Sequence, residues 1–222
     1  HLPEIKMVRG LSDAFSVLDR FPHGKQRFIT AMRSSILQLF LGGNVVYHGL
    51  VAHHFVRNIA HVLKVRIIAD PADRVAAEMA RENISEDEAR HILKKDDEER
   101  RRWGMFLYGI DVMDPETYNL TIRIGHLSED DAVDLVANAA SLPSFSETPA
   151  SKAALADSAM AALISRKLFD FPLAAVTAKN GQVTISLKVP EKQQQVIGER
   201  IGSMLAPVPG LAAYSLQFEP YF

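Results

Sequence analysis

The stretch "VLKVRIIADPADR" (62–74) decides the fold. Apart from Lys64 and Arg66, residues 62–69 are apolar and rich in β-branched side chains, the composition of a buried strand. Pro71 then supplies the backbone angle that a first helical position needs. Asp73 places a negative charge in the first turn, where the helix dipole favours it. The stretch therefore predicts a strand over 62–70 that passes directly into a helix over 71–82. Strand followed by helix is the unit from which parallel sheets are built.

The segments on either side continue that pattern. Downstream, "ISEDEARHILKKDDEERRRWGMFLYGI" (84–110) predicts one long helix, with Ser85 at the N-cap and Glu88 three residues on, a capping box. A turn-rich loop (111–119) leads to the strand "LTIRIG" (120–125) and to a helix over 128–140 capped by Ser128 with Asp131. Upstream, "NVVYHGL" (44–50) reads as a strand and 51–60 as a short helix. Two further helices precede them. One, over 4–22, has Ile5, Val8, Leu11, Phe15 and Leu18 at helical spacing. The other, over 25–41, has Phe28, Met32, Ile36 and Leu39 along one face and ends at Gly42-Gly43. Three strands separated by helices predict an α/β fold, a parallel sheet with flanking helices.

The sequence changes style after residue 140. "SLPSFSETPAS" (141–151) has the Ser, Pro and Thr content of a linker. Beyond it the pattern predicts a helix (151–169), a strand (172–179), the hairpin turn Asn180-Gly181, a strand (182–189), a helix (190–205) and a last strand (211–218). That order, αββαβ, describes a small α+β domain. The expected division is an α/β domain over 1–142, a linker over 143–151 and an α+β domain over 152–222.

Composition narrows the function classes. The formal net charge of −2 argues against an electrostatic grip on nucleic acid by the whole chain. The absence of cysteine excludes disulfides and thiolate metal sites, and fits a reducing cytoplasm, the expected location. No run of about 18 apolar residues predicts a membrane span. The chain opens on His1, not Met, and has no signal-peptide pattern, so a fragment or trimmed chain is the expectation.

Two readings of "ILKKDDEERRRW" (92–103) stand side by side. Asp96–Arg100, Asp97–Arg101 and Glu98–Arg102 have the spacing of i,i+4 ion pairs, which describes a solvated helix face. Alternatively Lys95, Asp97 and Arg100 project toward a nucleotide, since guanidinium forks match phosphate oxygens. His48, His53, His54 and His61 cluster, but their spacing matches no zinc motif, so no metal site is expected. GxxxxGK[ST], GxSxG and HRD patterns are all absent from the chain.

Residues 44–140 resemble the C-terminal portion of the cytidylate kinase-like proteins, a branch of the P-loop nucleoside monophosphate kinases. The resemblance is carried by "ADPADR" (69–74), by "SEDEARHILKKDDEERRRW" (85–103), and by Asp114-Pro115, Tyr118, Leu120 and "LSEDDAV" (127–133). Residues 1–43 resemble, more weakly, the helical nucleotide-monophosphate-binding region of such kinases. The resemblance implies ATP-dependent phosphoryl transfer to a pyrimidine nucleotide, with ATP and Mg2+ as cofactors and a nucleotide as the partner. It implies that Lys95 and Arg100 are the catalytic lid groups. Asp97 belongs to the same lid motif, Arg74 lies near the adenine ring or phosphates, and Gly49 matches a glycine that binds the acceptor.

Two departures bear on activity. The arginine that follows the acceptor-binding glycine in that family is Leu50 here, and the family's first strand and glycine-rich phosphate loop are not in this sequence. The alternative expectation is therefore a non-catalytic, nucleotide-sensing or partner-binding protein on a degenerate kinase scaffold. The C-terminal part resembles a BON module, carried by "NGQVTISLKV" (180–189) and "VPGLAAYSLQ" (208–217). That resemblance implies a binding or interaction unit, and self-association into a homo-oligomer is the further expectation.

Overall fold

The computed structural model describes residues 20–49 and 52–219. They fall into two compact units, one containing residues 48–147 and the other residues 20–47 and 148–219. The helix expected over 4–22 lies almost wholly outside the described residues, as does Leu50.

The first unit is built on the strand-to-helix stretch. Helix α2 (Ala52–Phe55) precedes strand β1 (Val65–Ala69). Asp70 is the N-cap and Pro71 the first residue of α3 (Pro71–Glu82), which ends on Asn83 in the left-handed region (φ 55°). Helix α4 (Glu86–Tyr108) begins with the expected capping box. The Glu88 amide donates to Ser85 Oγ at 3.4 Å, and the Ser85 amide donates to Glu88 Oε2 at 3.0 Å. The Ser85 hydroxyl, then its amide, hold the Glu88 carboxyl below the usual range. Gly109, at φ 68°, ends the helix. Strand β2 (Leu120–Ile124) pairs in parallel with β1, Val65 opposite Leu120 and Ala69 opposite Ile124, and α5 (Glu129–Ala140) follows under a Ser128–Asp131 capping box. The α3–α4 segment is thus the crossover that a parallel pair requires.

The third strand expected in this part is absent among the described residues. Residues 44–49 are irregular and Val46 is 99% exposed. A β-branched run becomes a strand only where another strand completes its ladder, and none pairs there. Nor is β1 buried on both faces, because Ile67 is 49% exposed.

The second unit runs from α1 (Gly24–Phe40) through α6 (Pro149–Lys167), β3 (Ala175–Lys179), β4 (Gln182–Lys188), α7 (Gln194–Leu205) and β5 (Ala213–Glu219). Its sheet has the order β3-β4-β5, antiparallel then parallel. The turn between β3 and β4 is Asn180-Gly181, both with positive φ (52° and 76°), as a tight hairpin of matching twist requires. Along β4, Val183, Ile185 and Leu187 point inward and alternate with more exposed residues. They join Ile164 and Leu168, together with Ile201 and Leu205 of α7, in one core.

The helix read over 25–41 and assigned to the first domain packs instead on α6, where Gln38 Nε2 donates to the Ala159 carbonyl at 3.4 Å. Its buried face is also rotated from the expected one. Ser34, Ile36 and Leu37 are buried, while Met32 and Leu39 are 36% and 52% exposed. The apolar content marked a helix with an inner face but carried no information about its partner. The expected linker is partly ordered. Pro143–Phe145 form a 3-10 turn and α6 begins at Pro149, capped by Thr148, whose Oγ1 accepts from the Ser151 amide at 3.1 Å.

Candidate functional site

Asp70, Asp73 and Arg74 sit where β1 hands over to α3, at the C-terminal end of a parallel strand pair. That edge is where ligands of open α/β sheets bind, because helix starts and loop residues converge there. Arg74 lies one turn into α3, its amide donating to the Asp70 carbonyl at 3.0 Å. Its guanidinium reaches across to α4 and takes both oxygens of Asp97, Nη1 to Oδ2 at 2.7 Å and Nη2 to Oδ1 at 2.8 Å. The side chains remain 32% and 40% exposed. The Asp97 hydrogen bond holds the Arg74 guanidinium above its ordinary pKa, against the opposing pull of burial, so it is a permanent cation.

On β2, the Arg123 guanidinium pairs with Asp70. Just beyond the strand Gly125 adopts φ 138°, and a Cβ there would stand 3.2 Å from Asp73 Oδ2. Only glycine combines that backbone angle with so close a carboxylate. Arg74, Asp97, Asp70 and Arg123 therefore form two arginine–carboxylate pairs joined through the first turn of α3.

The charge run on α4 is not a uniformly solvated face. Asp96, Glu99 and Trp103 are 3%, 6% and 3% exposed. Asp97 is engaged by Arg74, and Arg101 by Asp111 at 2.8 Å, so the expected Asp97–Arg101 pair gives way to partners outside the helix. Lys95 is exposed, its Nζ 3.9 Å from Glu99 Oε1. Arg100 is half-buried, and its Nε is buried without a hydrogen-bond partner. Gly49 is exposed in the irregular segment after α1, outside the strand exit that carries the two pairs. Of the residues singled out from sequence, the structure joins Arg74 to Asp97 and sets Lys95 and Arg100 on the same helix as Asp97. Arg123 and Asp70 were not singled out. Their only sequence signals were an arginine within a mostly apolar strand and an acid at its partner's exit.

Two of the clustered histidines pack against aromatic rings. His53 stacks on Tyr118 with ring centroids 4.7 Å apart, and His54 lies 5.9 Å from the Tyr108 ring. Burial, then the charges of His54 and Lys64, push His53 down to about 4. Among the described residues no group of three or more His, Asp or Glu is placed to hold a metal ion. The donor set of the edge, two guanidiniums with Lys95 and Arg100 on the adjoining helix, fits the phosphates of a nucleotide. It does not offer a ready-made Mg2+ cage, since Asp70 and Asp97 each pair with an arginine and no three acids converge among the described residues.

The second unit has a cleft of about 710 Å³, walled by Phe171, Leu173, Leu187, Val189 and Ile197, with Lys188 and Glu219 on its lining. Among the described residues no helix is long and apolar enough to cross a membrane.

Neither a curated protein nor a solved structure gives a significant match to this chain. The family model of the cytidylate kinase-like proteins matches residues 5–126, more than half of the sequence, and ends just past Gly125. With the "ADPADR" strand exit and the capped charged helix in place within that span, the chain belongs to the cytidylate kinase-like family.

Proposed function

We propose that the Arg74–Asp97 edge handles the phosphates of nucleotides in an ATP-dependent, nucleoside monophosphate kinase-like reaction, with a pyrimidine nucleotide as acceptor and Mg2+ arriving with ATP. The observation that carries this reading is the two-pronged Arg74–Asp97 pair at the C-terminal end of β1, with Lys95 and Arg100 on the same helix as Asp97. Phosphoryl transfer demands little covalent chemistry from a protein. It demands positioned cations that neutralise the equatorial oxygens of the moving group, and Lys95 and Arg100 on α4 can supply them. Arg74 orients, while Lys95 and Arg100 neutralise. Gly49 belongs to the acceptor side by resemblance alone.

A second reading rests on Leu50. An aliphatic side chain where the family resemblance implies an arginine removes an acceptor-phosphate contact. On that reading the protein binds nucleotide as a signal and transfers nothing.

Calorimetric titration of the full chain with ATP and with CMP, followed by a coupled assay of ADP release, separates the two. ADP release that depends on CMP supports the kinase, and ATP binding without it supports the sensor. No nucleotide binding rejects both. Lys95→Ala and Arg100→Ala should weaken nucleotide binding or turnover. Loss of an exposed charge such as Lys95 should shift stability by less than about 1 kcal/mol. Unchanged binding in both variants would return the charge run to a structural role.

For the second unit, the mixed three-stranded sheet with α6 before it and α7 between β4 and β5, an αββαβ order, supports a BON-like interaction module. Sedimentation of the full chain over a concentration series tests self-association, and a constant monomer mass would reject it.

A further inference from the structure

Nothing in the family resemblance assigns Arg123 or Asp70, yet they repeat at β2 what Arg74 and Asp97 do at α3. In both pairs a guanidinium at the C-terminal edge of the sheet is held by a carboxylate from a neighbouring element. Both pairs are open to solvent. Arg74 and Asp97 are 32% and 40% exposed, and Arg123 and Asp70 are 64% and 46% exposed. Ion pairs in that range are weak, and the fork that takes a carboxylate takes phosphate oxygens in the same geometry.

We infer that Asp97 and Asp70 are internal stand-ins for phosphate, and that a polyphosphate chain binds by exchange, displacing both carboxylates and spanning Arg74 and Arg123. The inference rests on the nucleotide reading above and adds Arg123 as a second positioning arginine. Asp70 and Asp97 become competitors of the ligand instead of contacts to it. Exchange also links binding to the hairpin of helices. Asp97 is the residue through which α4 grips α3 at this edge, so a phosphate on Arg74 releases that grip.

The two roles give effects of opposite sign. If the pairs are only structural ties, removing either partner has the same consequence for anion binding. If the acids are stand-ins, removing an acid favours the ligand and removing an arginine opposes it. The measurement is calorimetric titration of the full chain with inorganic tripolyphosphate in metal-free buffer, repeated with ATP. Asp97→Asn and Asp70→Asn should each tighten tripolyphosphate binding by about two- to fivefold. Arg123→Gln and Arg74→Gln should weaken it by about tenfold or more. Glu82→Gln serves as the charge control, because Glu82 is on α3 and pairs with Arg81, not with either edge arginine. Its affinity should stay at the parent value.

Unchanged or weaker binding in Asp97→Asn overturns the exchange, as does a gain in Glu82→Gln equal to that in Asp97→Asn, or parent-like binding by Arg123→Gln. In each of these cases the parent still binds ATP and the nucleotide reading survives. A parent chain that binds neither tripolyphosphate nor ATP overturns both. Binding of ATP but not tripolyphosphate also rejects the exchange, since the base would then dominate recognition. If Asp70→Asn does not fold, Asp97→Asn carries the sign test alone.

Discussion

Arg74 and Asp97, 23 residues apart in sequence, meet through two parallel hydrogen bonds of 2.7 and 2.8 Å, one helix holding the other at the end of a strand. The pair is half-open to solvent, so its worth to folding is small even though its geometry is good. A double-mutant cycle of Arg74→Ala and Asp97→Ala, read by urea denaturation, should give a coupling of about 0.5–1 kcal/mol. A coupling near zero would mean that the two side chains do not hold each other in solution.

Gly104 lies in the interior of α4, where alanine is ordinarily favoured by about 1 kcal/mol. Here the sign reverses. A Cβ at this position would stand 2.7 Å from Val112 Cγ1 and 2.8 Å from the Ile110 carbonyl oxygen. Gly104→Ala should destabilise the protein by about 1–3 kcal/mol. Adding Val112→Ala should recover only part of the loss, because the Ile110 oxygen is backbone and cannot withdraw. A more stable Gly104→Ala variant would refute the packing of α4 on the 110–112 segment.

His53 ties stability to pH. Its imidazole is pushed down to about 4 in the folded chain, from an ordinary value of 6.5 in the unfolded one. Between those values the unfolded state binds more protons than the folded state. The contribution of His53 is therefore complete above about pH 6.5 and is lost as the pH falls toward about 4. His53→Phe keeps a ring against Tyr118 and removes the titration, so urea midpoints measured from pH 7 to pH 4.5 should fall less steeply in the variant. An identical slope would exclude His53 as the source.

Asp157 on α6 accepts the Asn180 and Gly181 amides of the β3–β4 turn at 2.7 and 2.9 Å. A carboxylate that collects both amides of a tight turn fixes the hairpin to the helix beneath it. Asp157→Ala should cost about 1–2 kcal/mol by urea denaturation, and Asp157→Asn, which keeps one acceptor, should cost less. Equal losses would show that the helix, not the turn, is what Asp157 supports.

Much of the local structure was legible from short-range chemistry. Pro71 after Asp70, the Ser85–Glu88 and Ser128–Asp131 boxes and the Asn180-Gly181 turn each act within a few residues, and each is found where it was expected. The strand over 44–50 failed for the complementary reason. A strand is completed by a partner, and Val46 has the composition of one without the ladder.

The charged stretch 92–103 shows the same boundary at the site. Its spacing allowed Asp97 to pair with Arg101, and the residue types allowed it to face phosphate. The choice of Arg74 as its partner depends on how α3 and α4 pack, a matter of apolar faces and crossover length that no i,i+4 rule contains. Arg123 and Asp70 were invisible for the same reason, since 53 residues separate them and only the parallel β1–β2 register brings them together.

By itself, then, the sequence determined the helix starts at Pro71 and after Ser85 and Ser128, the hairpin turn, the parallel-sheet character of the middle of the chain and its family. Tertiary structure alone decided that residues 24–40 join the C-terminal unit and that four charges, from α3 and its N-cap, α4 and β2, share one edge. Caps and turns are held by bonds between neighbours in the chain, whereas helix partners and charge pairs across elements are selected by burial and register over the whole fold.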